Sequence, residues 1–190
     1  MGVENEMKIV RQKWSTQEKR MPAIFLDRDG TLIEGRKVLA SLDEVRLLSG
    51  VSEGLKKMQR AGYLLVVVTN QPNIERGDNT EKQILAQNDR LRALLSETGI
   101  TLDAAYACPH KYPSTCTCRK PELGMIVQAQ EDFEIDMSRS WFIGDTGRDM
   151  ETGARAGLRT IKLKGDDLDT HFKTVGDFSA VDISAAAEII

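Results

Sequence analysis

Ala23-Ile24-Phe25-Leu26-Asp27-Arg28-Asp29-Gly30-Thr31 is the stretch on which the reading of this chain turns. Four apolar residues end abruptly in two carboxylates, a cation and a glycine. A strand buried on both faces of a parallel sheet reads as such a continuous run, with polar groups at its carboxyl end. Working outward, Val51, Leu55 and Met58 recur at helical spacing, and Gly62 follows as a stop. Tyr63 to Val68 is a second apolar run, ending in Thr69-Asn70. Thr80 and Gln83 have capping-box spacing and open a helix carrying Ile84, Leu91 and Leu95, stopped at Gly99. Leu102 to Ala107 predicts a weaker strand, and Pro121-Glu122 the start of a helix through Met125, Ile126 and Ala129. Ser140 to Ile143 predicts a short strand ending in Gly144-Asp145, then a helix to near Gly157. Arg159 to Leu163 reads as a further strand, and Val181 to Ile190 as a last strand and helix.

Strands alternating with helices predict an α/β fold: a Rossmann-like three-layer sandwich around a mainly parallel sheet. In such sheets ligands bind beyond the carboxyl ends of the strands. Three of these ends carry polar groups, Asp27-Arg28-Asp29, Thr69-Asn70 and Asp145, and side by side they make one site. Residues 1–20 are charged and weakly periodic, and read as an arm preceding a domain over 21–190. Whether Met7 to Trp14 packs on that domain or on a second subunit is open at this point.

With 26 basic and 29 acidic residues the net charge is -3, which argues against a broad nucleic-acid-binding face. No apolar run reaches the roughly 18 residues of a membrane span, and Met1 to Arg20 lacks the apolar middle of a secretory signal. Three cysteines, an odd number, point to a reducing compartment, hence the cytoplasm, and to a metal site rather than disulfides. A monomer with a small-molecule partner, without nucleic acid or membrane, is the expectation.

Asp27, Asp29 and Asp145 at one sheet edge would repel one another without a cation, and a few carboxylates plus substrate phosphate suit Mg²⁺. Thr69, Asn70 and Lys120 would offer donors and positive charge to a phosphoryl group. A carboxylate can attack phosphorus, and a second can protonate the leaving oxygen and then activate water. Taken singly, these aspartates could bound turns or helix starts and Lys120 could be a surface lysine. The shared position at strand ends is what those readings leave unexplained.

Asp27-Arg28-Asp29-Gly30-Thr31, Thr69-Asn70, Lys120, and Gly144-Asp145 with Asp149 resemble, in order, the four motifs of the haloacid dehalogenase superfamily of phosphatases. The resemblance implies Asp27 as nucleophile and Asp29 as general acid/base. It implies Mg²⁺ held by Asp27, the backbone carbonyl of Asp29, and Asp145. Thr69 and Lys120 would bind the transferring phosphoryl group. Arg28, Asn70 and Arg119 would line the phosphate and substrate pocket, and Asp149 would orient the metal site or Lys120.

Cys108-Pro109-His110 followed by Cys116-Thr117-Cys118 offers three thiolates and one imidazole, a closed tetrahedral structural Zn²⁺ set within a loop over 108–118. His171 has no such partners and reads as a surface residue. A loop of this kind running into Arg119-Lys120-Pro121 is similar to two branches of the superfamily that lack a large cap domain. These are the heptose-1,7-bisphosphate phosphatases of bacterial heptose and lipopolysaccharide biosynthesis, and the histidinol-phosphate phosphatases. Val66 to Gln71, Ile74 to Gly77, Glu122 to Met125 and Phe133 to Met137 look like the first branch. The five-residue gap between His110 and Cys116 looks like the second. Pro72-Asn73, Thr146 and the segment Ile33 to Val45 depart from the expected patterns. Heptose 1,7-bisphosphate is the first-choice substrate, with histidinol phosphate or another sugar phosphate as alternatives. A zinc-loop module that contacts RNA is the non-enzyme alternative.

Overall fold

The computed structural model describes residues 9–35, 38–165 and 172–190. Seven strands form one sheet: β1 (Val10–Lys13), β2 (Ala23–Leu26), β3 (Leu64–Asn70), β4 (Ala104–Cys108), β5 (Trp141–Gly144), β6 (Arg159–Leu163) and β7 (Phe178–Ala180). Their spatial order is β1-β4-β3-β2-β5-β6-β7. Every pairing is parallel except β1 with β4. The chain runs outward from β2 through β3 to β4, then returns to β5 on β2's other side. This reversal opens a crevice at the carboxyl end of β2, where ligands bind in such sheets.

Burial explains the continuous apolar runs. Ile24 and Leu26 face one layer with Leu65, Val67 and Ile143, while Ala23 and Phe25 face the other with Val66 and Phe142. The first layer is completed by α1 (Val51–Arg60), α3 (Glu81–Glu97) and α6 (Ile183–Ala187), and the second by α4 (Gly124–Asp132). Helix α5 (Gly147–Arg155) packs on the second face, where Gly153 lies against Phe142 and Thr160. A four-residue helix α2 (Asn73–Arg76) follows β3. The Thr80–Gln83 capping box that opens α3 is present in both directions. Leu91 of α3 is fully buried. Leu91→Ala is expected to cost about 2–5 kcal/mol, read as a lower urea midpoint with unchanged slope.

Element boundaries depart from the sequence reading in three places. Helix α4 opens at Gly124, not at Pro121, because residues 119–122 form a turn closed by the Glu122 N–H donating to the Arg119 carbonyl at 2.8 Å. The last strand lies at Phe178–Ala180, ahead of Val181. Strand β3 includes Thr69 and Asn70, which pair with Ala107 and Cys108. Within the segment read as an arm, Val10–Lys13 is the antiparallel edge of the sheet, and Val10 packs on Ile84 and Ala107. His171 lies outside the described residues.

Candidate active site

Asp27 follows β2, and its backbone N–H donates to the Ile143 carbonyl at 3.0 Å, continuing the pairing with β5. That register fixes where its carboxylate stands. Asp27 Oδ1 accepts from the Arg28 N–H at 2.8 Å and lies 2.9 Å from Lys120 Nζ. Lys120 Nζ also donates to Asp149 Oδ1 at 2.6 Å. Lys120 and Asp149 are 3% and 0% exposed, so neither charge is sheltered by water. Carboxylate oxygens of Asp27, Asp145 and Asp149 lie within 4.8 Å of one another.

The electrostatics follow from this crowding. Burial pushes the Asp27 carboxyl up to about 7, with Asp149, Asp145 and Asp29 acting the same way against the pull of Lys120. Burial alone would lower Lys120, but the carboxylates of Asp149 and Asp27 outweigh it and hold the ammonium above its ordinary value. Asp27 and Asp149 share the one ammonium of Lys120 in a buried place with the Asp145 carboxylate close by, and such crowding of like charge is costly. A divalent cation is the group that this set fits. Asp149 has both oxygens engaged, Oδ1 with Lys120 and Oδ2 with Thr146, which leaves Asp27 and Asp145 as the carboxylates best placed to hold it. Gly30 has φ +84°, and any Cβ there would collide with the Asp145 carboxylate. Only glycine combines that backbone with that contact.

The sign of the Asp27 shift yields a stability prediction for the metal-free protein. Its folded carboxyl binds the proton more tightly than the unfolded one, whose ordinary value is 3.8. This group therefore adds stability as pH falls from about 7 toward about 4, and above pH 7 it carries the full cost of a buried charge. Asp27→Asn is expected to raise metal-free stability at pH 8, an advantage that shrinks as the pH is lowered to 5. Thermal unfolding in a chelator at the two pH values measures it.

Asp29 stands apart from the carboxylate cluster. Arg28 grips it bidentately, Nε to Oδ2 at 3.0 Å and Nη2 to Oδ1 at 3.2 Å. Gln71 Nε2 donates to Asp29 Oδ2 at 2.6 Å and to Thr69 Oγ1 at 2.9 Å. Arg28 is 1% exposed and its Nη1 donates to Asn88 Oδ1 at 2.9 Å. Asn70 pairs with the Lys120 backbone in both directions, Nδ2 to the carbonyl at 3.2 Å and Oδ1 from the N–H at 3.0 Å.

The cysteine loop closes around four donors. Sγ of Cys108 lies 3.2 Å from Cys118 Sγ and 3.8 Å from Cys116 Sγ. His110 Nδ1 lies 3.5 Å from Cys108 Sγ and 3.3 Å from Cys118 Sγ. Zinc bonds of about 2.3 Å to sulfur and 2.0 Å to nitrogen, set tetrahedrally, place ligand atoms roughly 3.5–3.8 Å apart. The donor set fits a zinc ion. The hydrogen bond with Cys118 is the largest of the effects that draw the Cys108 thiol down to about 6, while the same bond pushes the Cys118 thiol up. The loop touches both sides of the acidic site. The Cys108 carbonyl accepts from the Gln71 N–H at 2.7 Å, and the His110 carbonyl from Arg119 Nη1 at 2.7 Å.

A family model described as polynucleotide kinase 3 phosphatase matches residues 22–190. A D-glycero-beta-D-manno-heptose-1,7-bisphosphate 7-phosphatase of Photorhabdus laumondii is 37% identical over 159 residues, 79% of this chain and 85% of that protein. The chain belongs to this family, within the haloacid dehalogenase superfamily. Among solved structures, the D,D-heptose 1,7-bisphosphate phosphatase from B. bronchiseptica, complexed with magnesium and phosphate, superposes with TM-score 0.77 at 27% identity. The match covers 89% of this chain and 97% of that one. A Mesorhizobium loti protein described as HAD-like gives TM-score 0.81 at 30% identity, covering 97% and 95%.

In this haloacid dehalogenase chain the structure gathers Asp27, Asp145, Asp149 and Lys120 at one point, and places Asp29, Thr69 and Asn70 beside them. Arg28, read from sequence as a pocket residue, borders a cavity beside Asp29 while holding Asp29 and Asn88, and Arg119, read likewise, donates to the His110 carbonyl of the cysteine loop. Gln71 and Asn88 were not among the residues singled out. Their sequence signal is modest: Asn88 interrupts the buried stripe Ile84, Leu91, Leu95 of α3. Thr146, a departure from the expected pattern, is the N-cap of α5 in a capping box with Asp149, and so helps fix the carboxylate that grips Lys120.

Proposed function

We propose that this chain is a Mg²⁺-dependent phosphatase that hydrolyses D-glycero-D-manno-heptose 1,7-bisphosphate to the 1-phosphate through an aspartyl-phosphate on Asp27. The observation that carries the reading is a carboxylate at the sheet's switch point, 2.9 Å from a buried lysine and adjoining two further aspartates. Names of relatives support the substrate: the Photorhabdus laumondii protein is a heptose-1,7-bisphosphate 7-phosphatase, and the B. bronchiseptica structure was solved with magnesium and phosphate.

Asp27 and Asp145, with the backbone carbonyl of Asp29, would hold the Mg²⁺. When bound, the ion supplies positive charge that keeps Asp27 ionised and neutralises the phosphoryl oxygens. Lys120 and Thr69 orient those oxygens. Asp27 Oδ attacks phosphorus as the bond to the leaving oxygen breaks, and Asp29 gives that oxygen a proton. Asp29 then takes a proton from water, whose oxygen attacks phosphorus and frees Asp27 and inorganic phosphate. Arg28 and Gln71 keep the Asp29 carboxylate beside the pocket between these steps. Cys108, His110, Cys116 and Cys118 would hold a structural Zn²⁺ that ties residue 71 to residue 119.

The test is phosphate release with Mg²⁺ from both anomers of heptose 1,7-bisphosphate and from histidinol phosphate, with Asp27→Asn as blank. Asp27-dependent turnover of a heptose bisphosphate is the expected result. Turnover of histidinol phosphate alone moves the chain to the branch suggested by its short cysteine loop. Turnover of a 3′-phosphorylated oligonucleotide in preference to both follows the family description instead.

A further inference from the structure

Beside Asp29 lies a cavity of about 280 Å³, just below the roughly 300–1,000 Å³ usual for small-molecule sites. Asp29 borders it, whereas Asp27 and Lys120 do not, so it flanks the leaving group rather than the phosphoryl centre. Five side-chain amides line it: Asn70, Gln71, Asn73, Asn79 and Gln87. Asn70 and Gln71 are held by Lys120 and Asp29. Asn79 and Gln87 are 5% and 4% exposed, and each donates its amide to the Leu39 carbonyl at 3.3 Å. Asn79 Oδ1 has no partner among the described residues.

Packing alone does not account for these two residues. The Leu39 carbonyl can accept both amides, but that leaves Asn79 Oδ1 buried without a partner among the described residues, and an apolar side chain at 87 would continue the buried stripe of α3 without the cost of burying an amide. An amide offers both a donor and an acceptor, as a hydroxyl does. Among the described residues the walls carry no aromatic ring on which a base or imidazole could stack. Among the described residues their one carboxylate is Asp29, already gripped by Arg28, and the guanidinium groups of Arg28 and Arg76 also line them, so an ammonium group is disfavoured there.

We propose that Gln87 and Asn79 are specificity-determining residues that hydrogen-bond hydroxyl groups of a polyhydroxylated, sugar-type leaving group. The inference rests on the phosphatase reading above and names the part of the chain that reads the substrate.

The test compares wild type, Gln87→Leu and Asn79→Leu on heptose 1,7-bisphosphate and on p-nitrophenyl phosphate, which has no hydroxyl to read. Each variant is expected to lose about 10- to 100-fold in kcat/KM on the sugar, the worth of one or two hydrogen bonds, and to stay within about twofold on the aryl ester. Deoxy analogues separate reading from mere pocket shape. On the analogue lacking the hydroxyl that Gln87 meets, wild type and Gln87→Leu should turn over equally. Equal losses on sugar and aryl ester, unchanged sugar turnover, or a Gln87→Leu defect identical on every deoxy analogue would overturn the proposal. A wild type that cleaves the aryl ester in an Asp27-dependent way but prefers histidinol phosphate also overturns it and leaves the phosphatase standing. A wild type that cleaves nothing removes both.

Discussion

Asp27→Asn is expected to lower the rate of phosphate release by about 10⁴-fold or more, since the nucleophile proposed to form the covalent intermediate has no substitute in the site. The carboxamide keeps the size of the side chain and a carbonyl oxygen for Lys120 and the Arg28 N–H. It lacks the anionic oxygen that attacks phosphorus. The same substitution is expected to stabilise the metal-free protein above pH 7. Loss of activity combined with gain of stability is the signature of a charge held at a cost for chemistry. A folding defect would lose both. Steady-state phosphate release over a range of Mg²⁺ concentrations, alongside thermal unfolding, separates the cases. Residual turnover within about tenfold of wild type would rule out a covalent role for Asp27.

Removal of the Zn²⁺ proposed for the cysteine loop is the second large effect expected. The loop over 108–118 carries exposed Lys111, Tyr112 and Ser114 and has buried Cys108, Cys116 and Cys118 as its inner face. Without an ion, three thiols and an imidazole crowd together, the cysteines packed on the second core layer but residues 111–115 exposed. Structural zinc supplies folding free energy directly, often about 10 kcal/mol or more in small zinc modules. Only part of that reaches global stability, because both core layers are built largely from residues outside the loop. A loss of several kcal/mol, at about 2–4 °C per kcal/mol for a chain this size, lowers the melting midpoint by about 10 °C. Cys118→Ser with stoichiometric metal analysis measures it: less than one zinc per chain, a lower midpoint and weaker turnover. Activity should fall with the metal because Gln71 and Arg119 both hang from this loop. Full zinc content and an unchanged midpoint in Cys118→Ser would refute the site.

Much of the fold was legible because burial on both faces forces unbroken apolar runs. Ala23–Leu26 and the run into Thr69 announce themselves, and the polar residues at their ends mark the crevice. Val10–Lys13 was not legible as a strand. As an edge it buries only Val10 fully, so Val-Arg-Gln-Lys shows no run to read. The start of α4 was misplaced because proline followed by an acidic residue suits a helix start, while the turn at Glu122 uses those residues otherwise. In the site, Asp27, Asp29 and Asp145 were marked by their place at strand ends, and Lys120 by the resemblance to the superfamily's third motif. The direction in which Arg28 points could not. A long side chain at a strand end can reach solvent, substrate or its neighbour, and here the choice is set by Asn88, sixty residues away. Gln87 and Asn88 were readable only as polar interruptions of an apolar stripe at helical spacing, a sign that names a site without naming its ligand.

The central claim is that phosphorus passes through Asp27. Acid-quenching the enzyme during turnover of heptose 1,7-bisphosphate and mapping the modified peptide by mass spectrometry tests it most directly. Asp29→Asn is included to slow release of the intermediate. The account predicts one phosphoryl group on Asp27, accumulating in the Asp29 variant and absent from Asp27→Asn. Turnover with no phosphorylated Asp27 under any of these conditions would contradict it.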